Sequence, residues 1–279
     1  MGVVITTLVE NGQGEHLGLT CEHGLSFLIE KDGQSFLFDT GKSDAFLNNA
    51  KQLNLDPFRA QTIILSHGHY DHSGGVPHFL KSPFRRKEVE LVVHPHFFRA
   101  KYSTDGARTE FLGNGFTRAE VEASKGSIRF AAPGVDEIAP GVYVISDFDK
   151  THPEEQANPR FVFEEAGQLV HDTFADELMV AVETDKGLVL ILGCAHPGIM
   201  NMIDTVKARL HKTIYAVVGG THLVEADDRR MTSTVSYLKG LDCAAIGVSH
   251  CTGPKAMAAL EKADGRFFHN RTGSSLRIG

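Results

Sequence analysis

The stretch Thr62-Ile63-Ile64-Leu65-Ser66-His67-Gly68-His69-Tyr70-Asp71-His72-Ser73-Gly74-Gly75 decides how this chain is read. An apolar, strand-like run ends, and four candidate metal ligands follow within six residues. On an extended or turning backbone, side chains two apart point to the same side, so His67 and His69 can grip one cation. Past the bend, Asp71 and His72 can serve a second. Imidazole and carboxylate donors suit Zn²⁺, Fe²⁺ and Mn²⁺. Two such ions about 3.5–4 Å apart activate a bridging water and polarise a substrate oxygen. Four such groups buried without a cation would be costly, so a metal site is the reading the cluster demands.

Outward from this cluster, one unit recurs: a strand, a histidine-bearing loop, then a helix. Residues 25–39 read as a hairpin about Lys31-Asp32-Gly33, ending at Asp39. A helix is expected over 43–53 with Ser43 as its N-cap, and a short helix over 74–81. The hairpin pattern returns at 179–192 about Asp185-Lys186-Gly187 and runs into Gly193-Cys194-Ala195-His196-Pro197-Gly198. Helix 199–210, strand 213–218, helix 227–239, strand 243–248 and helix 254–262 follow. Their strand ends carry Gly219-Gly220-Thr221-His222 and Ser249-His250-Cys251-Thr252-Gly253.

Ligand sites in α/β proteins collect at such strand ends. His196 and His250 are therefore expected metal ligands. His222, Cys194, His171 and Asp172 are candidates for a metal or substrate contact. Asp39 is expected to orient a ligand imidazole or to cap backbone N–H groups. His94 and His96 read as pocket lining or structure. His16, His23, His78, His152, His211 and His269 carry no supporting context and read as surface or satisfied histidines. Gly219-Gly220 and Thr252-Gly253-Pro254 fall at expected helix N-termini, where free N–H groups could bind a phosphate or carboxylate.

Residues 83–170 are less regular. Strand fragments are expected at 91–93, 127–130, 142–145 and 160–163, with 104–115 as loop. The stretch reads as a cover within a single domain spanning 1–279. The composition is globular, 42% hydrophobic and 23% charged over 279 residues. A net charge of −7 argues against a general nucleic-acid or anionic-membrane surface, and Arg85-Arg86-Lys87 reads as a solvated loop. The four cysteines form no CxxC pair and read as thiols. With no signal peptide and no membrane-length apolar run, a cytoplasmic protein is expected. Rossmann, P-loop and G-x-S-x-G patterns are absent from the sequence.

His67-x-His69-x-Asp71-His72 after a strand, with Phe38-Asp39-Thr40-Gly41 upstream, resembles the first two motifs of the metallo-β-lactamase superfamily. The elements at 193–198, 219–223 and 249–253 look like the branch named for 7,8-dihydropterin-6-methyl-4-(β-D-ribofuranosyl)-aminobenzene-5'-phosphate synthase. The resemblance spans roughly residues 3–275 and is weakest over 83–170. It implies a four-layer αβ/βα sandwich, two mixed sheets with helices outside, and a dinuclear site at the edge between the sheets. It further implies that His67 and His69 hold one ion, and that Asp71, His72 and His250 hold the other. Hydrolytic relatives end the penultimate hairpin on a bridging Asp. Here Cys194 and His196 occupy that area, and either stands in for it.

The cofactors expected are two divalent ions, zinc first and iron or manganese as alternatives. The substrate is expected to be a small molecule, and both enzymatic readings call for a phosphate pocket near Gly220 or Gly253. The leading reaction is attack of a metal-activated hydroxide on an ester or phosphoester, with Asp71 as the catalytic residue. The alternative is condensation of a pterin diphosphate with a ribofuranosyl-aminobenzene phosphate. Outside catalysis, the same fold could serve as a ligand-binding or redox-sensing protein. The sequence carries no signal for oligomeric state.

Overall fold

Two hairpins of the same design organise the chain. Strands Ser26–Lys31 and Gln34–Phe38 pair antiparallel across Asp32 and Gly33, both with positive φ, the signature of a tight hairpin turn. Strands Met179–Thr184 and Gly187–Leu192 pair in the same way. The computed structural model describes residues 2–263 and 265–279. It divides into two units. One comprises the chain up to Ala131 with Pro159–Asp172 and Arg271–Gly279; the other comprises Ala132–Asn158 and Thr173–Asn270.

The first unit holds a seven-stranded sheet in the order Ser275–Ile278, Val3–Val9, Ser26–Lys31, Gln34–Phe38, Thr62–Ile64, Val89–Val93, Gly126–Phe130. From Gln34–Phe38 onward the strands run parallel. Their carboxyl ends therefore share one sheet edge, which carries Asp39, Ser66-His67 and His94. Leu8, Leu28, Leu37, Ile63, Leu65, Leu91 and Val93 form the core with Phe46 and Ala50 of helix Ala45–Gln52 and Phe79 and Leu80 of helix Val76–Lys81. Burying a large apolar side chain of this kind contributes about 1.5–3 kcal/mol.

The second unit holds another seven-stranded sheet, in the order Phe267–His269, Ala245–Ser249, Ile214–Gly220, Gly187–Leu192, Met179–Thr184, Val142–Ile145, Val135–Ala139. Its first four strands are parallel, so 193–196, 221–222 and 250–251 emerge at one edge. Leu188, Leu190 and Leu192 pack with Ile199, Met202, Ile203 and Val206 of helix Ile199–Leu210. Val189 and Ile191 on the alternate face are equally buried, which explains the unbroken apolar run in this strand.

The middle of the chain is more regular than its sequence suggests. Residues 83–170, expected to be irregular, form regular strands. They supply edge strands to both large sheets and most of a four-stranded antiparallel sheet, Gln168–His171, Phe161–Glu165, Lys101–Thr104, Thr109–Phe111. Thr109–Phe111 lies in the expected loop and is exposed at every position, so it shows no burial pattern to read. Ser43 is not the N-cap of the first helix. Asp44 holds that position without a side-chain cap, although Ser43 Oγ accepts from Ala45 N at 3.1 Å. Gly219-Gly220 end a strand rather than open a helix. Among the described residues no helix is long and apolar enough to cross a membrane.

Gly219 shows how tightly the parallel strands pack. Its φ is +122°, and a Cβ there would lie 2.1 Å from the carbonyl oxygen of Leu192. Gly240, at the end of helix Asp228–Gly240, has open space around it. Gly219→Ala is expected to cost well over 1 kcal/mol, whereas Gly240→Ala should be neutral or stabilise by about 0.4–1 kcal/mol. Urea-denaturation midpoints of the two variants test the contrast.

Candidate metal centre

The first unit builds its cluster on one buried carboxylate. Asp39 follows strand Gln34–Phe38 with a φ of +59° and is 0% exposed. Its Oδ1 accepts from the Ser66 backbone N–H at 2.7 Å, and its Oδ2 accepts from Ser66 Oγ at 2.8 Å. His72 Nδ1 stands 2.6 Å from the same Oδ2. An ionised carboxylate only accepts, so the Nδ1 proton faces Asp39 and the Nε2 lone pair of the neutral ring is left for a ligand. Burial pushes the His72 pKa down, but the carboxylates of Asp39 and Asp71 more than offset this and the net shift is upward.

His67 titrates in the opposite direction. Complete burial, reinforced by the neighbouring His72 and His69, holds its pKa well below the usual imidazole value. It is therefore neutral at physiological pH, the form that binds metal. His67 Nε2 lies 3.1 Å from His69 Nδ1. Two imidazoles on one tetrahedral zinc at about 2.05 Å place their nitrogens about 3.3 Å apart, so this pair is already spaced for a shared cation. Gly68 between them is required by packing, since a Cβ would sit 2.3 Å from the Phe97 carbonyl oxygen.

Asp71 and His72 do not lie on an open loop. They belong to a single helical turn, Tyr70–Ser73, which brings His72 Nε2 to 3.8 Å from Asp71 Oδ2. Asp71 Oδ2 also meets His23 Nε2 at 3.2 Å, a contact that raises the His23 pKa. His23 stands 48 positions before Asp71 in an unremarkable loop, and no local signal marks it. The four-stranded sheet and the residue after it support the same turn. Tyr70 N donates to Leu112 O at 2.9 Å, and the Phe161 ring lies 5.8 Å from that of His69.

The structure separates His171 from Asp172. His171 is exposed at the end of strand Gln168–His171. Asp172 is buried and pairs with Lys101 Nζ at 2.5 Å, and the Lys101 stem borders Gly68. His94 is buried, and its Nδ1 accepts from the His96 backbone N–H at 3.1 Å.

The second unit presents the other candidates at three adjacent strand ends. Ala195, His222 and His250 all have left-handed backbone, with φ of +56°, +47° and +52°. Such non-glycine conformations cost about 1–3 kcal/mol each and persist where surrounding contacts enforce them. Glu177 enforces the first. It is fully buried, and its Oε1 accepts from Cys194 N at 3.3 Å and Ala195 N at 3.1 Å. The His196 ring stacks on Phe174, with centroids 3.6 Å apart and planes 7° from parallel, and lies 4.2 Å from the His222 ring. Donor atoms of Cys194, His250 and Cys251 all lie within 4.8 Å of one another. Glu177, Lys101 and His23 are the site-forming residues that sequence reasoning misses.

The profile of the metallo-β-lactamase superfamily matches residues 19–210. The chain belongs to the metallo-β-lactamase superfamily. It is an enzyme of that superfamily, and its mixed sheets and helices are those of the metallo-β-lactamase sandwich. It is 34% identical over 267 residues to the 7,8-dihydropterin-6-methyl-4-(β-D-ribofuranosyl)-aminobenzene-5'-phosphate synthase of Methanocaldococcus jannaschii, covering 91% of this chain and 89% of that one. The solved structure of Tm1679, described as a metal-dependent hydrolase of the β-lactamase superfamily, superposes with a TM-score of 0.86 at 28% identity, covering 99% of both chains. Zn²⁺-bound PqqB from Methylobacterium extorquens has a TM-score of 0.60 at 13% identity, covering 98% of this chain and 99% of that one; this likeness is one of fold alone.

The Asp39 network makes a quantitative prediction. Asp39→Ala strands the His72 Nδ1–H and both Ser66 donors in the interior and is expected to cost about 3–5 kcal/mol of stability. Asp39→Asn keeps the volume but loses the anionic partner of His72, and zinc affinity should fall about 10–100-fold. Competition against a chromophoric chelator measures the second effect.

Proposed function

We propose that this chain is a metal-dependent synthase that joins a pterin methylene carbon to the amino nitrogen of an aminobenzene whose ring carries a ribofuranosyl phosphate. The observation that carries the reading is the 34% identity, over nearly the full length of both chains, to a synthase whose product contains that linkage. In the proposed reaction the arylamine nitrogen attacks the pterin methylene. The new C–N bond forms as the C–O bond to diphosphate breaks, and the nitrogen loses a proton.

The proposed metal ligands are His67, His69, Asp71 and His72 in the first unit and His196 and His250 in the second, with divalent cations, zinc foremost, as the proposed cofactors. The support is the donor chemistry of these side chains, the 3.1 Å His67–His69 spacing and the family to which the chain belongs. When bound, such ions supply Lewis-acid stabilisation of phosphate oxygens. Asp39 holds His72 in the tautomer that faces a ligand. Asp71 is the proposed proton acceptor, and its contact with the partly exposed His23 links it toward solvent. The burial of His67, His69 and His72 limits water at the reacting centre, which a condensation that competes with hydrolysis requires.

A second reading is favoured by the description of Tm1679 as a hydrolase. Here water replaces the arylamine, and an ester or phosphoester bond is cleaved. One assay separates the two. Metal-loaded protein is given the pterin diphosphate alone, the ribofuranosyl-aminobenzene phosphate alone, and both together. The synthase reading expects diphosphate release and a coupled product by mass spectrometry only with both. Release from either compound alone, with no coupled product, favours hydrolysis. His69→Ala is expected to lower turnover by at least about 100-fold and to reduce the bound metal in step. Full activity of that variant in metal-free form contradicts both readings.

A further inference from the structure

We propose that Cys194 and Cys251 are thiolate ligands that act with His250 on one divalent cation, so that this centre mixes sulfur and nitrogen donors. The proposal rests on the metal dependence proposed above and adds to it a ligand, Cys251, that the expected ligand set does not contain. Its basis lies within the second unit. Strands Gly187–Leu192 and Ala245–Ser249 flank Ile214–Gly220, two strand spacings or about 9.6 Å apart. Residues emerging from the outer two strands would ordinarily be kept apart by side chains of the middle one.

Here the middle strand ends in Gly219-Gly220. A Cβ on Gly220 would lie 2.6 Å from Cys251 Sγ and 3.3 Å from Cys194 Cα. The missing side chain leaves room for Cys251 Sγ against the Cys194 backbone. Cys251 Sγ donates to the Cys194 carbonyl oxygen at 3.4 Å, and all three residues are buried, at 3%, 5% and 8% exposure for Cys194, His250 and Cys251.

The spacing also fits. Tetrahedral zinc with sulfur at about 2.3 Å and nitrogen at about 2.05 Å sets donor separations of about 3.6–3.8 Å. The three donor atoms lie within 4.8 Å of one another, so closure on an ion asks for about 1 Å of adjustment. One neighbour supports a charged sulfur. The His222 backbone N–H donates to Cys251 Sγ at 3.3 Å, the kind of outer-shell hydrogen bond that supports a thiolate ligand. His222 and His250 both hold a left-handed backbone to bring these groups together. On binding, each thiol gives up its proton to solvent and its sulfur donates a lone pair to the ion, with no change in oxidation state.

The test loads the full-length protein with Co²⁺ after metal removal. Visible ligand-field absorption reports binding, and near-ultraviolet sulfur-to-cobalt charge transfer reports thiolate ligation. The expected result is both absorptions. Cys194→Ser or Cys251→Ser should each lower the charge-transfer intensity by about half, the double variant should abolish it, and Cys21→Ser and Cys243→Ser should leave it unchanged. Zinc K-edge spectra of the unaltered protein provide a measure that needs no variant, with a sulfur shell expected at about 2.3 Å beside nitrogen at about 2.0–2.1 Å. Visible absorption without charge transfer, or a zinc shell of nitrogen and oxygen alone, overturns the thiolate assignment and leaves the metal-dependent reading standing. Failure of the folded protein to bind either ion overturns both.

Discussion

The buried carboxylate of Asp39 is the constraint on which the first cluster depends. Its two oxygens hold the Ser66 amide, the Ser66 hydroxyl and the His72 ring, and so join the end of one parallel strand to the loop that leaves the next. The backbone repeats the link. Thr40 N and Thr40 Oγ1 both donate to His72 O, at 2.7 and 3.1 Å, and Leu25 N donates to Asp71 O at 3.2 Å. A fully buried anion is tolerated only because every partner is a hydrogen-bond donor. The same bonds that stabilise the carboxylate fix which nitrogen of His72 carries the proton. Stability and ligand orientation are thus one interaction.

The second unit reaches a comparable arrangement by other means. Its three central strands stop together, and Ala195, His222 and His250 turn the chain through left-handed conformations directly after them. Glu177 plays the part that Asp39 plays in the first unit, holding the Cys194 and Ala195 amides with a buried carboxylate. Glycines at 219 and 220 remove the side chains that would keep these turns apart. Backbone strain and close strand approach coincide with the candidate ligand side chains, as expected where geometry serves function.

Much of this was legible in local sequence. The two hairpins, the helix over 199–210 and the histidines at strand ends all follow from apolar runs broken by Gly and Asp, because burial of parallel strands on both faces writes itself into composition. The roles of His23, Lys101 and Glu177 were not legible, because each reaches the site across at least 17 residues of chain and carries no motif of its own. The regularity of residues 83–170 is hidden for a related reason. Strands such as Thr109–Phe111 and Gln168–His171 are exposed along their length and lack the alternation that marks a half-buried strand. His171 and Asp172, adjacent in sequence, part ways because only Asp172 finds a buried cation, Lys101.

The central proposal is that the strand-end imidazoles and carboxylates hold divalent metal in a geometry the fold sets in advance. Anomalous diffraction at the zinc edge, from crystals of the zinc-loaded protein, tests it most directly. The account predicts a zinc peak about 2.0–2.2 Å from His67 and His69, with His72 turned by Asp39 so that its Nε2 faces a second peak. A folded protein with zinc bound elsewhere, and no anomalous density at these side chains, would contradict it.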